Sequence, residues 1–200
     1  MSVERLPLLN CLVVGNQAAD LNSDGSAIYC IDSNAVFVNF TISNNLGGNQ
    51  GGAITAVNSN ITVTNSILWN NVPAQIVTVG SGSTTVTYST IMEGGREGLE
   101  ELTGQDVSGN ISTDPLFAQP GDWVESGTGE LLWVRGDYHL LSQAGRWNLE
   151  SGTWKQDLVT SPSIDAGNRA WFVGDEPSPN GKIINMGAFG GTMEASKSLF

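Results

Sequence analysis

The sequence predicts an all-β fold: a β-solenoid of about four coils over residues 1–95, followed over residues 96–200 by an irregular capping region that contains hairpins. A unit of 23 to 29 residues recurs along the first half of the chain. Its short β-branched runs have a period of two, and no segment shows the periodicity of a helix. Units of this length, each stacked on the next, are typical of solenoids.

The repeats align in columns of equivalent residues. The first asparagine column, spaced by 29, 26 and 23 residues, is Asn10, Asn39, Asn65 and Tyr88. The second asparagine column, six residues later, is Asn16, Asn45, Asn71 and Gly94. Three apolar columns accompany them: Leu8, Phe37, Val63 and Val86; Val13, Ile42, Leu68 and Ile91; and Ile28, Ile54 and Ile76. The unequal spacings indicate loops of different length on one constant unit.

The asparagine columns predict rows of stacked side chains. Equivalent residues of neighbouring coils would lie about 4.8 Å apart, so each amide could bond to the amides above and below it. Asparagine at a coil corner also tolerates a left-handed backbone. The alternative is that asparagine is simply frequent in turns.

The repeat ends near Arg96, and five of the six tryptophans follow it. DWVESGTGELLWV predicts a hairpin around Ser126-Gly127, and RWNLESGTWKQ predicts another around Ser151-Gly152. Such hairpins would cover the last coil, whose strand edges are otherwise open. No comparable cap precedes the first coil, so we expect either a homodimer through that coil or a longer protein of which this chain is the end.

Two coil segments, GSAIYCIDSNAVFVNFTISNN and GGAITAVNSNITVTNSILWNN, resemble coils of the right-handed parallel β-helix proteins of the pectate-lyase-like superfamily. TDPLF, GDYHLLS, SPSIDAG and INMGAFGGT resemble the C-terminal region of large secreted bacterial β-helix proteins. The resemblance implies a right-handed parallel β-helix in an extracellular or cell-surface setting. It implies no single chemistry, because this fold carries lyases, hydrolases, adhesins and structural spikes. The start, MSVERLPLLNC, lacks the features of a signal peptide, so either the chain is intracellular or its export signal lies outside this sequence.

A net charge of -12 narrows the classes of partner. Nucleic acids and anionic membranes require a basic surface, and no apolar run is long enough for membrane insertion. Cations such as calcium are the natural small partners of an acidic chain.

A calcium turn is predicted at DLNSDG, residues 20–25, with Asp20, Asn22 and Asp24 as ligands. An EF-hand is excluded because its twelfth position, which requires a carboxylate, is Ile31. The alternative to a looser calcium turn is an insertion turn between two strands.

The predicted catalytic residues are His139, Asp137 and Asp165. His139 is the only histidine, and Asp137 would face the same side of a strand, as an acid–base pair requires. Asp165 lies in SPSIDAG, beside two serines that could be recruited with His139. The alternative is a structural histidine within a packed cap.

Two functions follow from these patterns. Columns of Asn, Thr and Ser with outward aromatics, such as Trp69 and Tyr88, favour a module that binds a polysaccharide or cell-surface ligand, or has a structural role. The alternative is a small calcium-assisted hydrolase or lyase acting on a polysaccharide, ester or lactone. Its site would lie between coils and tail, because the coils contain no lysine and only Arg5 before Arg96.

Overall fold

The structure, a computed structural model, describes residues 7–19, 27–49, 51–92 and 108–199. Every regular element in these ranges is a strand, which confirms the predicted all-β class. The repeats form three parallel sheets, here called A, B and C. Sheet A contains β1 (Leu8–Leu9), β4 (Asn34–Val38), β7 (Asn60–Thr64) and β10 (Ser83–Thr87). Sheet B contains β2 (Leu12–Val14), β5 (Thr41–Ser43), β8 (Ile67–Trp69) and β11 (Thr90–Ile91). Sheet C contains β3 (Ile28–Ile31), β6 (Gly52–Val57) and β9 (Ala74–Val79).

The chain visits the sheets repeatedly in the order A, B, C, and each pass is called a rung. Each strand pairs with the equivalent strand of the next rung, so Phe37 lies in register with Val63 and Ile42 with Leu68. The same holds in sheet C, where Ile54 pairs with both Ile28 and Ile76. The three apolar columns predicted from the repeats are therefore confirmed as registers of the three sheets.

The apolar columns form the core between the sheets. Phe37, Ile42, Ile54, Val63 and Leu68 are almost fully buried in one cluster. Alternation with period two directs these side chains inward, and β-branched residues suit the pleated surface. The interior of the stack is thus built from the residues that repeat.

The second asparagine column forms the predicted ladder of amides. Asn16 Nδ2 donates to Asn45 Oδ1 at 2.8 Å, and Asn45 Nδ2 donates to Asn71 Oδ1 at 2.8 Å. The row ends where Asn71 Nδ2 donates to Gln75 Oε1 at 2.7 Å. Asn45 and Asn71 are 1% and 4% exposed, whereas Asn16 of the first rung is exposed, so the ladder is buried at its second and third members.

The first asparagine column has the expected left-handed backbone but not the expected ladder. Asn10, Asn39 and Asn65 have φ values of 51°, 54° and 51°. Their side chains bond to the tail instead: Asn10 Nδ2 donates to the carbonyl of Gly190, and Asn39 Nδ2 to that of Asn185. The ladder prediction was wrong here because the tail occupies the space beside this column.

Both predicted hairpins are present in the tail. The tail strands are β12 (Phe117–Gln119) paired with β15 (Asp137–Leu140), β13 (Asp122–Glu125) paired with β14 (Leu131–Val134), and β16 (Arg146–Asn148) paired with β17 (Thr153–Lys155). All three pairs are antiparallel.

The β13–β14 hairpin lies beside the first two rungs. Trp133 covers Gly15, where an added Cβ would lie 2.1 Å from a ring carbon, and Trp123 Nε1 donates to the carbonyl of Asn44 at 2.8 Å. Residues 108–111 contact the fourth rung, with Ile91 N–H donating to the carbonyl of Ile111. The predicted boundary near residue 95 lies outside the described residues.

The first rung has an open side within the described residues. Strands β1, β2 and β3 are each at the edge of their sheet, and Leu8, Leu9 and Ile31 are about half exposed. A homodimer through this rung stays a prediction.

Candidate functional site

The three predicted calcium ligands, Asp20, Asn22 and Asp24, lie outside the described residues, so the calcium turn stays a prediction. In the part of the chain that the structure describes, no three His, Cys, Asp or Glu side chains form a group that could hold a metal ion.

His139 and Asp137 are brought together as predicted. His139 Nδ1 lies 2.6 Å from Asp137 Oδ1, and the backbone N–H of His139 donates to the same oxygen at 3.1 Å. The imidazole is fully buried and stacks on Phe189, with ring centroids 3.7 Å apart. Its Nε2 makes no hydrogen bond within the part of the chain that the structure describes, and it lies 3.4 Å from Glu194 Oε2. A substrate could reach this ring only if the surrounding tail moved.

The Asp137 carboxylate belongs to a larger network of charges. Arg146 Nη1 donates to Asp137 Oδ2 at 3.2 Å, and Arg146 Nε donates to Asp157 at about the same distance. Burial acts to raise the pKa of Asp137, but the hydrogen bonds and charge of His139 and the charge of Arg146 outweigh it, so the pKa lies below its ordinary value. These contacts hold β15 against β16, so the role of this network is to stabilise the tail.

Asp165, the third predicted catalytic residue, lies in a different environment. Its Oδ1 accepts from the N–H of Gly181 at 3.1 Å, and its backbone has a φ of 53°. Among the described residues it shares no hydrogen bond or ion pair with His139. The structure therefore does not bring Asp165 into a common site with the other two.

Glu176 was missed in the sequence, although among the described residues it is the carboxylate whose pKa is raised most by its surroundings. Burial raises its pKa to about 7, with a further contribution from the charge of Asp165. Its Oε1 accepts from the N–H groups of Asn185 and Gly191, both at 2.8 Å, and its Oε2 has no hydrogen-bond partner among the described residues. A glutamate in DEPS carries no local signal of burial, because the groups that enclose it lie up to 15 residues away.

A cleft of about 400 Å³ lies between the rungs and part of the tail. Here called the Trp69 cleft, it has one wall from the ends of β5 and β8 and one from residues 114–122 of the tail. The residues that carry its chemistry are Asn44, Trp69, Asn70, Asp114, Phe117 and Asp122. This volume lies in the range of sites for small ligands.

The rung wall is built by a repeated corner. Ser43 pairs with Trp69, so Asn44 and Asn70 follow at equivalent positions, and both have a φ of 56°. Asparagine tolerates this left-handed backbone, which turns the chain after the strand. Trp69 is half-buried and Asn70 is exposed, so both side chains are available to the cleft.

The floor of the cleft is held by a chain of hydrogen bonds. Gly121 N–H donates to the Tyr138 hydroxyl at 3.2 Å, and that hydroxyl donates to Asn44 Oδ1 at 3.1 Å. Burial raises the pKa of Tyr138 above its ordinary value, although hydrogen bonds from Gly121 and Ser43 act against it. The phenol therefore stays protonated and donates to the rung wall, which joins both walls through one buried side chain.

The two acidic residues of the cleft each use one oxygen for the backbone. Asp114 Oδ1 accepts from Leu116 N–H, and Asp122 Oδ1 accepts from Trp123 N–H, both at 2.8 Å. Both residues are exposed, and within the described chain their second oxygens have no hydrogen bond. Trp69 was predicted as an outward aromatic, whereas Asn70 and Asp122 have no signal in the sequence that points to a site.

Comparison with known proteins gives no match: no family model, no curated protein and no solved structure is significantly similar to the chain. Within the described residues, no helix has the length and apolar character needed to cross a membrane.

Proposed function

We propose that the three parallel sheets form a right-handed parallel β-helix, and that the protein is an extracellular module that binds carbohydrate in the Trp69 cleft. The observation that carries this proposal is the cleft itself, in which a half-buried tryptophan lies beside exposed amide and carboxylate groups. The right-handed sense is supported by the strong preference of parallel connections for that hand. The extracellular setting rests on the resemblance of the coils and tail motifs to secreted β-helix proteins.

The chemistry of the cleft suits a sugar. A sugar ring has an apolar face of C–H groups, for which a tryptophan ring supplies a large and rigid contact surface. Its hydroxyls donate and accept hydrogen bonds, which carboxylate oxygens and amide groups satisfy. Asn70, Asp114 and Asp122 offer both kinds of group around Trp69.

The cleft is also pre-organised for binding. Tyr138 joins Gly121 of the tail to Asn44 of the second rung, and Trp123 Nε1 donates to the carbonyl of the same Asn44. Walls fixed by buried contacts lose little conformational entropy when a ligand binds. A module of this kind needs no mobile part to close over its ligand.

Binding of short soluble oligosaccharides, measured by isothermal titration calorimetry, tests the proposal. We expect Trp69→Ala to weaken binding at least about tenfold, because the main contact surface is removed. Trp171→Ala is the matched control, since Trp171 is a partly exposed tryptophan outside the cleft. If both variants lose affinity equally, or if Trp69→Ala leaves the affinity unchanged, the assignment of sugar binding to the Trp69 cleft is contradicted. Turnover of the bound sugar that a chelator abolishes would favour the alternative of a calcium-assisted hydrolase or lyase.

A further inference from the structure

The charges of the Trp69 cleft carry an inference about its ligand. We propose that the cleft selects sugars that bear a protonated amine, as in oligosaccharides of glucosamine, over uncharged sugars and over uronic acids. This inference rests on the proposed function, because it names the class of carbohydrate that the same cleft would take.

The first argument is the sign of the charges at the cleft. Asp114 and Asp122 are the charged side chains among the described residues that line it, and no lysine, arginine or histidine lies among them. A lining that contains two carboxylates and no cationic side chain favours a positive group and opposes a negative one. A uronic acid would add a third carboxylate to this site.

The second argument is that these carboxylates still have acceptor capacity. Each is held in place by a single backbone N–H, to Leu116 or to Trp123, and each keeps its second oxygen free for a ligand within the described chain. An ammonium group carries three donors and no acceptor, so it complements such oxygens better than an amide-substituted or hydroxylated carbon does. The pairs would be hydrogen-bonded ion pairs at a partly enclosed surface.

The third argument is that Trp69 lines the same cleft as these two carboxylates. A cation over the face of an indole is attracted by the negative face of the ring, and tryptophan is the aromatic residue that does this best. The cleft therefore offers an amino sugar three favourable contacts: the ring face for its C–H groups, the ring quadrupole for its charge and two carboxylates for its donors.

The charge of the whole chain acts in the same direction. A net charge of -12 raises the local concentration of a cationic oligosaccharide and lowers that of a polyuronate. This long-range contribution is screened by salt, whereas contacts inside the cleft are screened less. The two contributions can be separated by variants that change the charge of the chain equally but at different positions.

The experiment compares three oligosaccharides of equal length by calorimetry, at a pH at which free amines are protonated. They are oligomers of glucosamine, of N-acetylglucosamine and of galacturonic acid, the last with and without calcium. We expect the glucosamine oligomer to bind at least about tenfold more tightly than its acetylated counterpart, and the galacturonic acid oligomer to bind most weakly. Acetylation removes the charge of the amine and leaves it one N–H donor, but it also adds a carbonyl and a methyl group, so the ratio is assigned to the proposed contacts only together with the aspartate variants below.

Variants then locate the effect. Asp114→Asn and Asp122→Asn keep the oxygen that accepts from the backbone, so both should fold, and each should lower the preference for the amine about fivefold. Asp32→Asn removes the same charge at an exposed position outside the cleft and should leave the preference unchanged. Thermal unfolding of each variant checks that the fold is kept.

Each outcome decides one of the two proposals. If the acetylated and free oligomers bind equally, and Trp69→Ala still weakens the binding of both, the amine preference is overturned and the carbohydrate site is left intact. The amine preference would also be overturned if the galacturonic acid oligomer, with or without calcium, bound more tightly than the glucosamine oligomer. If Asp32→Asn weakens binding of the glucosamine oligomer as much as the cleft variants do, the oligomer is attracted by the net charge of the protein. The assignment of the preference to the cleft then fails. If no oligosaccharide binds, the proposed function itself fails.

Discussion

The two asparagine columns both repeat from rung to rung, but their side chains have different roles. Asn45, which is buried, accepts from Asn16 and donates to Asn71 and to the carbonyl of Val13. Asn39, six residues earlier, donates to carbonyls of the tail. An amide suits both roles because it has two donors and one acceptor oxygen. Which role applies depends on what lies beside the residue.

Asn45→Ala should destabilise the protein by about 2–4 kcal/mol, because the buried Asn45 side chain is removed and its hydrogen bonds to Asn16, to Asn71 and to the carbonyl of Val13 are all lost. Chemical denaturation measures the change in the free energy of unfolding. The matched control is Asn34→Ala, which also breaks an amide pair between rungs, with Asn60, but at an exposed position. That variant should cost less than about 1 kcal/mol, and equal losses would contradict a special role for the buried ladder.

At the scale of elements, strand β15 connects the cleft to the rest of the tail. Its residues alternate in direction, so Tyr138 bonds toward Asn44 while Asp137 and His139 face the network that contains Arg146. For His139 the sequence left open an acid–base catalyst or a structural residue of the tail. In the structure it is buried, and it packs beside the same strand that carries Tyr138. Buried charges of this kind are stable only as a paired set.

Arg146→Met should destabilise the protein by about 3 kcal/mol at neutral pH, because Asp137 and Asp157 lose their shared cation while staying largely buried. Arg135→Met, at an exposed position just before β15, is the control and should have little effect. Asp137 has a lowered pKa, so its ion pair stabilises the fold above the ordinary value of 3.8 and is lost as the pH falls further. If the free energy of unfolding that Arg146→Met removes is as large at acidic pH as at neutral pH, the ion pairs are not the cause of the loss.

At the scale of the whole molecule, the tail is attached along the side of the stack. Gly190 contacts Asn10 of the first rung, Ala188 N–H donates to Thr41 of the second, and Gly187 N–H donates to Asn65 of the third. The segment 185–191 therefore bridges three rungs. Glu176 holds both ends of that segment through the N–H groups of Asn185 and Gly191.

The attachment of this segment should depend on pH through Glu176. Its pKa is raised to about 7 from an ordinary 4.5, so the folded state favours the protonated form. Stability is therefore lost as the pH rises through this interval, by about 3 kcal/mol at most, and the loss is complete above about pH 7. Glu176→Gln removes the titration, so its stability relative to the unchanged protein should rise between about pH 5 and pH 8.

Denaturation at several pH values measures this difference. Asp175→Asn changes the exposed carboxylate next to Glu176 and is the control, for which the difference should stay nearly constant. A Glu176→Gln variant whose relative stability is the same at both ends of the range would show that the buried carboxyl does not titrate there.

The repeating part of the fold was predictable down to its registers. The apolar columns, the left-handed backbone of the first asparagine column and the two hairpins all follow from spacing and residue type in the sequence. In a stack of rungs each residue meets its equivalents in the neighbouring rungs, so a periodic sequence contains the information about its own contacts. The turn chemistry of the hairpins is also local, within a span of a few residues.

Only the tertiary structure decided the role of the first asparagine column, the burial of His139 and Glu176, and the composition of the Trp69 cleft. Asn10 bonds to a residue 180 positions later, and Asp122, from a part of the chain that does not repeat, lines the same cleft as Trp69. No period relates such residues, so their proximity results from how the tail packs on the rungs. By itself the sequence determined the rungs, because their contacts are between equivalent residues, whereas the site depends on contacts between unlike ones.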